Sequence, residues 1–323
     1  MTRTKLSTAI WGVAAIAGTL ILSAETVRAQ EFPDRPIRLI IPYPPGGAAS
    51  LNGGVLATAA EPYFGQPMIP TIRAGGGGIA GAAFVLGEPA DGHTVFLGDV
   101  TINSLRPLVE DDITYEPDDF VPIARITLDP MVFVASPQAP FATIAEMVEY
   151  AQANPNELVY SSDNVNGWTY VAFKALEAAT GIEMRGIEFG GGGPAVANVL
   201  GGNTMAYAGA PAVVGEHILG GALVPLCAAG TERVATLPDV PTCQEEGFDV
   251  VWQVWLGTLV HKDTPEDRVA FLREAFAALL EDQGLLTLMG RINTDLKYLG
   301  GDAWAEELAA EQERLLAIYE ATR

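Results

Sequence analysis

The chain has 323 residues, 49% of them hydrophobic, and a formal net charge of −22 from 40 acidic and 18 basic side chains. The length suits about two domains, and the apolar content is that of a folded protein, not a disordered one. Acidity of this degree argues against binding to nucleic acid or to anionic membrane surfaces, which repel such a chain.

In chain order, the first segment has the parts of an export signal. Arg3 and Lys5 make a positive start, residues 9–22 are apolar, and Val27-Arg28-Ala29 fits a small-residue cleavage site. Residues 1–29 are read as a signal peptide, with the mature chain starting near Gln30. The apolar stretch is short for a transmembrane helix, and no cysteine lies near the cleavage site to carry a lipid. Cleavage would remove Arg3, Lys5, Arg28 and Glu25, three cations and one acid, taking the charge from −22 to −24.

Beyond it, apolar β-like runs alternate with helix-like stretches, which predicts an α/β protein with mainly parallel sheets. Strands are expected at 37–42, 68–72, 94–97, 131–135, 159–161, 184–187, 205–208, 223–226 and 253–260. Thr143-Ile144-Ala145-Glu146 is a capping box that opens a helix to about 153. Thr264 and Pro265 read as an N-cap and first helical residue of a helix to about 282. Asp302 reads as the cap of the last helix. No low-complexity linker marks a domain boundary, which fits two domains whose chain crosses between them more than once.

Four segments place small or Gly-rich residues between a strand and a helix: Pro45-Gly46-Gly47-Ala48-Ala49-Ser50, Ala74-Gly75-Gly76-Gly77-Gly78-Ile79-Ala80-Gly81, Ser161-Ser162-Asp163-Asn164-Val165-Asn166-Gly167 and Gly190-Gly191-Gly192-Gly193-Pro194. In open α/β sheets ligands sit beyond the carboxyl ends of strands, where helix N-termini turn free N–H groups toward an anion. A single such loop is more often a tight structural turn; several in one exported chain point to capture of an anionic small molecule. Gly76-x-Gly78-x-x-Gly81, with Asp99 eighteen residues on, outlines a dinucleotide fingerprint, but Gly-rich runs match that pattern easily and it is set aside.

Catalytic signatures do not emerge. The chain has no Gly-x-Ser-x-Gly elbow and no His-Glu-x-x-His, and His93, His217 and His261 lack metal-ligand spacing. His93 reads as a turn residue and the other two as surface positions. Glu245-Glu246 reads as a solvated helix start, since adjacent helical residues do not face each other. Trp168, Tyr170, Trp252 and Trp255 could be core or pocket; Trp168 and Tyr170 follow the third loop, so one of them is expected at a pocket mouth. Cys227 and Cys243 are a candidate disulfide in an oxidising compartment, with two separate buried thiols as the alternative.

Several motifs in order then resemble one family. Phe32-Pro33, Pro36-Ile37-Arg38-Leu39-Ile40-Ile41-Pro42-Tyr43 and Gly46-Gly47 are similar to the opening of the Bug family, the periplasmic substrate-binding components of tripartite tricarboxylate transporters. Arg73-Ala74-Gly75-Gly76-Gly77-Gly78, Pro89-Ala90-Asp91-Gly92-His93-Thr94, Leu237-Pro238-Asp239-Val240-Pro241-Thr242 with Glu245-Glu246-Gly247, Trp255-Leu256-Gly257 and Thr264-Pro265 continue the likeness. The resemblance implies a type II periplasmic binding protein (Venus flytrap) fold, with one α/β domain from 30–130 plus 253–323, another from 131–252, crossings near Pro130 and Trp252, and the ligand between them. It implies a non-enzymatic monomer in the periplasm, without cofactor or metal. That protein would capture a di- or tricarboxylate or an aromatic acid for a membrane permease of one large and one small subunit. A ligand-presenting component of a two-component sensor, or an exported enzyme, are the alternatives.

By this reading the cleft is lined by Tyr43, Pro45, Gly46, Gly47, Ala48, Ala49 and Ser50, by Asp99 and Asn103, by Ser162, Asn164, Asn166 and Tyr170, by Gly190, Gly191 and Gly192, and by Ala210. The chain also departs from the family pattern. Ser50 stands where an Asp is usual, keeping an N-cap function without the charge, which argues mildly against an amino-acid ligand. Ile79 replaces an Asn, and Phe189-Gly190 lacks an aromatic-Lys-Gly form, losing a cationic contact. A more apolar cleft and a less charged carboxylate are therefore expected.

Overall fold

The computed structural model describes residues 32–321, so the export signal read from residues 1–29 lies outside the described residues. Eleven strands are described: β1 (Ile37–Ile41), β2 (Met68–Ile72), β3 (Thr94–Asp99), β4 (Phe120–Pro130), β5 (Val132–Ala135), β6 (Val159–Ser162), β7 (Arg185–Glu188), β8 (Ala206–Gly209), β9 (Val224–Ala228), β10 (Gln253–His261) and β11 (Leu296–Gly300). They form a six-stranded sheet in the order β11-β4-β10-β3-β1-β2 and a five-stranded sheet in the order β7-β6-β8-β5-β9.

Both sheets are mixed, not mainly parallel. β1 lies parallel to β2 and β3, and β6 parallel to β7 and β8. The antiparallel pairs are β10 with β3 and β4, β11 with β4, and β5 with β8 and β9. The reason is topological. β10 returns from the second half of the chain and inserts between β3 and β4, and β5 enters the five-stranded sheet from the opposite end to β6 and β8. The β1 and β3 side chains Ile37, Leu39, Ile40, Val95, Phe96 and Leu97 are fully buried. This is why these strands read as continuous apolar runs.

The sequence expectation missed two strands. β4 contains Pro122 and ends at Pro130, and proline demotes a run as an internal strand. Here the register with β10 shifts beside Pro122, where Leu259 pairs with Pro122 and Thr258 with Ala124, so a bulge absorbs the residue that cannot donate. β11 is a short edge strand that borrows its order from β4. Helix starts also moved. The helix Glu266–Leu280 is capped at Pro265, leaving Thr264 outside it. The last helix, Gly301–Ala321, already contains Asp302, which pairs with Arg273 at 2.6 Å instead of capping. Thr143 caps its helix as expected, accepting from Glu146 N–H, but the reciprocal bond of a capping box is displaced by one residue: Glu146 Oε2 accepts from Ala142 N–H, not from Thr143 N–H. Glu245 and Glu246 lie in a turn, not a helix start, and Glu245 accepts from Thr242 N–H and Arg233. His93 lies in the bend before β3, as expected, and is buried between Asp34 and Asp91, while His217 and His261, expected at the surface, are half-buried.

The chain passes from the six-stranded to the five-stranded sheet between Pro130 and Val132 and returns at Trp252 and Gln253. The two passages lie side by side: Met131 N–H donates to Trp252 O, Trp252 N–H to Ala229 O, and Ala229 N–H to Met131 O. A disulfide joins Cys227 at the end of β9 to Cys243, with Cα atoms 5.0 Å apart. It fastens the 229–252 connection to the five-stranded sheet just before the chain returns.

Asp129, one residue before that passage, is buried, and burial pushes its carboxyl up to about 7; Asp295 adds to the rise while Thr127 and Lys297 oppose it. A carboxyl whose pKa is raised on folding stabilises the fold fully below its unfolded value near 4, and that contribution is lost as pH rises through 7. Asp129→Asn should therefore flatten the loss of stability between pH 4 and pH 8. At pH 8 it should leave the variant more stable than the parent by on the order of 2 kcal/mol. Denaturant melts across this range check it; parallel pH profiles for the two proteins would contradict the assignment.

Candidate functional site

The carboxyl ends of β1 and β3 face the carboxyl ends of β6 and β8, and four helices begin between them. They are Ala48–Ala59, Trp168–Thr180, Gly192–Leu200 and Pro211–Leu219, capped at Gly47, Gly167, Gly191 and Ala210. No cap residue uses a side chain. A helix leaves its first N–H groups without intrahelical acceptors, so a cap that lacks a side chain leaves them to something else. The cleft holds about 390 Å³ of empty space, its mouth included, and all four helix starts contribute to its lining.

The first and fourth Gly-rich loops meet across it. A Cβ on Gly47 would come within 3.6 Å of Gly193 N and 3.7 Å of Gly192 N, one on Gly191 within 2.7 Å of Pro44, and one on Gly193 would clash with the Pro45 carbonyl oxygen. Glycine is needed at position 193 for the backbone-to-backbone approach, and at Gly46 and Gly191 for positive φ (88° and 156°), whereas the Gly47 contacts are of ordinary length. Further contacts join the halves. Trp168 Nε1 donates to Asp99 Oδ1 at 3.0 Å, and Asn166 Nδ2 to Glu110 Oε1 at 2.9 Å.

Asp99, at the end of β3, is fully buried and faces donors only: Tyr43 hydroxyl at 2.7 Å, Thr101 N–H and hydroxyl, Ile102 N–H and the Trp168 indole. Burial and the Asp99 charge hold the Tyr43 hydroxyl well above its ordinary pKa, so it stays a donor. Asp163 follows β6. Its carboxylate accepts from Asn164 N–H at 3.0 Å, Trp168 N–H at 3.0 Å and Thr169 N–H at 3.2 Å. It thus occupies the first amides of the Trp168 helix from four residues outside the helix cap. Burial raises its carboxyl to about 6, against the lowering effect of these backbone donors. The carboxylate lies against Gly167, where a Cβ would stand 2.6 Å from Asp163 Oδ1.

Of the residues expected in the cleft, Tyr43, Gly47, Ala48, Ala49, Gly192 and Ala210 line it. Pro45, Gly46 and Gly190 are exposed on the loops around it, and Gly191 packs on Pro44. Ser50 lies inside the first turn, not at the cap, and its hydroxyl donates to Gly47 O at 2.9 Å. Asp99 sits behind Tyr43. Asn103 belongs to a π-helical turn, Thr101–Leu105, that sends its side chain away from the cleft; its oxygen accepts from Asp99 N–H, and it lines a separate groove with Phe120, Leu259 and Leu308. Ser162 donates to Asn164 O, Asn164 is half-buried near Gly77 and Arg106, and Asn166 turns to Glu110. Tyr170 lies under Lys174 Nζ, so Trp168, not Tyr170, is the aromatic at the cleft.

Met131, Asp163, Thr169, Tyr207 and Val213 complete the lining and were not expected. Asp163 stood in the third loop and could have been found there, as an acid five residues before a helix. Met131 and Tyr207 carry no local signal, because strand pairing brings them in. The dinucleotide-like glycines do not face the cleft as amides. Their carbonyls, Gly76 O and Gly77 O, each accept from Arg106 Nη1 at 2.9 Å, and a Cβ at Gly78 would strike Ile102.

Two facing α/β halves, paired passages between them and a cleft lined by helix N-termini define a two-lobed solute-binding protein of the periplasmic class. Solved structures agree on this fold: an R. palustris protein with adipate (TM-score 0.86, 22% identity, 90% of this chain and 98% of that one) and MatC from Rhodopseudomonas palustris with bound malate (TM-score 0.82, 23% identity, 89% and 99%). Protein BugT of Bordetella pertussis is 29% identical over 282 residues, 84% of this chain and 85% of that protein. The chain belongs to the tripartite tricarboxylate transporter family receptors, whose family model matches residues 54–314.

Gly193→Ala tests the contact between the two loops. The added methyl falls against Pro45 O, while Gly193 itself lies in the first turn of the helix Gly192–Leu200, whose backbone tolerates alanine, so the fold should persist while the first loop and this helix start are held apart. Ligand affinity should fall at least tenfold by calorimetry with an unchanged circular dichroism spectrum; unaltered affinity would show that the loops need not touch.

Proposed function

We propose that the cleft captures a small organic carboxylate in the periplasm and delivers it to the permease of a tripartite transporter. The observation that carries this reading is that the helix starts at Ala48 and Ala49 from one half and at Gly192 from the other line the same cleft, and neither helix has a side-chain cap. A carboxylate placed there would accept hydrogen bonds from both halves at once, and each helix end adds a favourable partial charge of roughly half a unit. The overall acidity of the chain does not oppose this, because the local field comes from backbone dipoles. Solved relatives of the same fold carry adipate and malate, which supports a carboxylate as the ligand class.

The two halves, residues 30–130 with 253–323 and residues 131–252, act as lobes that turn about the paired passages at Met131 and Trp252. Contacts such as Trp168 to Asp99 and Asn166 to Glu110 form only when the lobes approach, and differential affinity of the ligand for that state drives closure. The ligand is held and released unchanged. The protein acts as a monomer and needs no cofactor. Trp168, Met131 and Val213 give the cleft apolar walls, which favours a ligand with a hydrocarbon body over a compact tricarboxylate.

Thermal-shift screening of the purified mature chain against small carboxylates, sugars and nucleotides tests this. At a hundredfold excess over its dissociation constant a true ligand stabilises by about 2.7 kcal/mol, so at least one carboxylate should raise the melting temperature while sugars and nucleotides do not. A panel in which no carboxylate shifts the transition would overturn the reading. Tight citrate binding with no affinity for monocarboxylates would overturn the preference for low ligand charge.

A further inference from the structure

A second recess lies in the six-stranded half and shares no lining residue with the cleft. Buried Asn103, Phe120 and Leu259 form its base, exposed Asp118 stands at its rim, and Leu308 and Ala309 of the last helix form one wall. It holds about 520 Å³ of empty space, its mouth included. We propose that this recess binds a small uncharged carbonyl compound with a hydrocarbon body, whose oxygen accepts a hydrogen bond from the Asn103 side chain.

The first support is an orphaned donor. Asn103 is only 4% exposed. Its Oδ1 accepts from Asp99 N–H at 3.1 Å, which settles the orientation of the amide. Its Nδ2 is buried and has no hydrogen-bond partner among the described residues. A buried amide donor left without an acceptor is costly, and native proteins seldom keep one. The recess that Asn103 lines is where an acceptor can be supplied.

The second support is the way the chain seats this amide. Asn103 lies in the π-helical turn Thr101–Leu105, and π turns are rare and concentrate at functional sites. The Tyr115 hydroxyl holds the turn by donating to Ile102 O at 3.0 Å. Gly98 on β3 leaves the space the amide needs, since a Cβ there would stand 2.1 Å from Asn103 Oδ1. Backbone, turn and glycine together fix one donor at the recess.

The third support is the chemistry of the lining, which names the ligand class. Nδ2 can only donate, so the ligand must accept, and a carbonyl oxygen does so. Phe120, Leu259 and Leu308 offer apolar surface to a hydrocarbon body. Ala305 and Ala309, one helical turn apart, keep the helix wall low where larger side chains would fill the recess. Asp118 is the one charged residue in the lining, so an anion would meet a like charge with no cation to offset it. The carboxylates proposed for the cleft are therefore unsuited to this recess. All of its lining residues belong to residues 30–130 with 253–323, so it is complete in one half and does not depend on the carboxylate reading.

The test is a nitrogen-15 NMR titration of the mature chain with ε-caprolactam, cyclohexanone and cyclohexanecarboxylate. The two uncharged probes should move the Asn103 side-chain amide signals and the backbone signals of residues 305–309 saturably. The anion should act on those signals at least tenfold more weakly; any shifts it causes at Ala48 and Gly192 report the cleft and are read separately. Ala309→Trp fills the recess from an exposed helix position, and it should weaken the lactam at least tenfold with an unchanged circular dichroism spectrum. The wild-type titration decides the matter without the variant, should Ala309→Trp fail to fold. No saturable shift at Asn103 with either uncharged probe would overturn the site and leave water as the acceptor of Nδ2. Equal action of the anion on the Asn103 signals would overturn the ligand class, and lactam binding unchanged in folded Ala309→Trp would overturn its placement.

Discussion

The fully buried carboxylate of Asp99 is the constraint on which the rest of the cleft depends. It sits at the end of β3 with no solvent to satisfy it, and a buried carboxylate is tolerable only when donors surround it. The donors come from three places. Thr101 and Ile102 supply the turn that follows β3, Tyr43 the loop that follows β1, and Trp168 the first residue of a helix in the other half of the molecule. The same hydrogen-bond set therefore fixes the turn after β3, aims the Tyr43 ring into the cleft and anchors the facing half. Removing the indole donor would leave Asp99 its local partners and sever its link across the cleft.

Around that anchor the proposed recognition of an anion rests on backbone more than on side chains. Helix starts without side-chain caps leave amides free, and glycines at the loop crossings let the two backbones approach. The acidic surface of the chain and an anion-accepting cleft are compatible because the dipoles act over the first turn only. Where a side chain does enter, at Asp163, it fills one of the four helix starts and so makes the site asymmetric. The passages near Met131 and Trp252 complete the design. Their direct backbone hydrogen bonds to each other and to Ala229 tie the two sheets together where the chain crosses between them.

How far this was legible in the sequence differs by element. β1 and β3 are continuous apolar runs with both faces covered, so their burial wrote their pattern. β4 hid because Pro122 and Pro130 break the usual strand rule, and only the bulge against β10 explains how they fit. The Gly47, Ala48, Ala49 and Gly192 contributions were readable because turn chemistry is local. Asn103 was misplaced because a π-helical turn, invisible to periodicity, rotates it behind Asp99. Met131 and Tyr207 reach the cleft through antiparallel and parallel pairing of distant strands, which no local window contains. Asp163 was in view inside the third loop; what the sequence could not give is that its carboxylate caps a helix from outside.

The measurement that bears most directly on this account is a crystal structure of the mature chain with its bound ligand. The account predicts a ligand carboxylate within hydrogen-bond distance of the Ala48 or Ala49 N–H from one half and the Gly192 or Gly193 N–H from the other, with Trp168 still bonded to Asp99. A ligand seated elsewhere, or a carboxylate held by arginine or lysine side chains with those four amides left unoccupied, would contradict it.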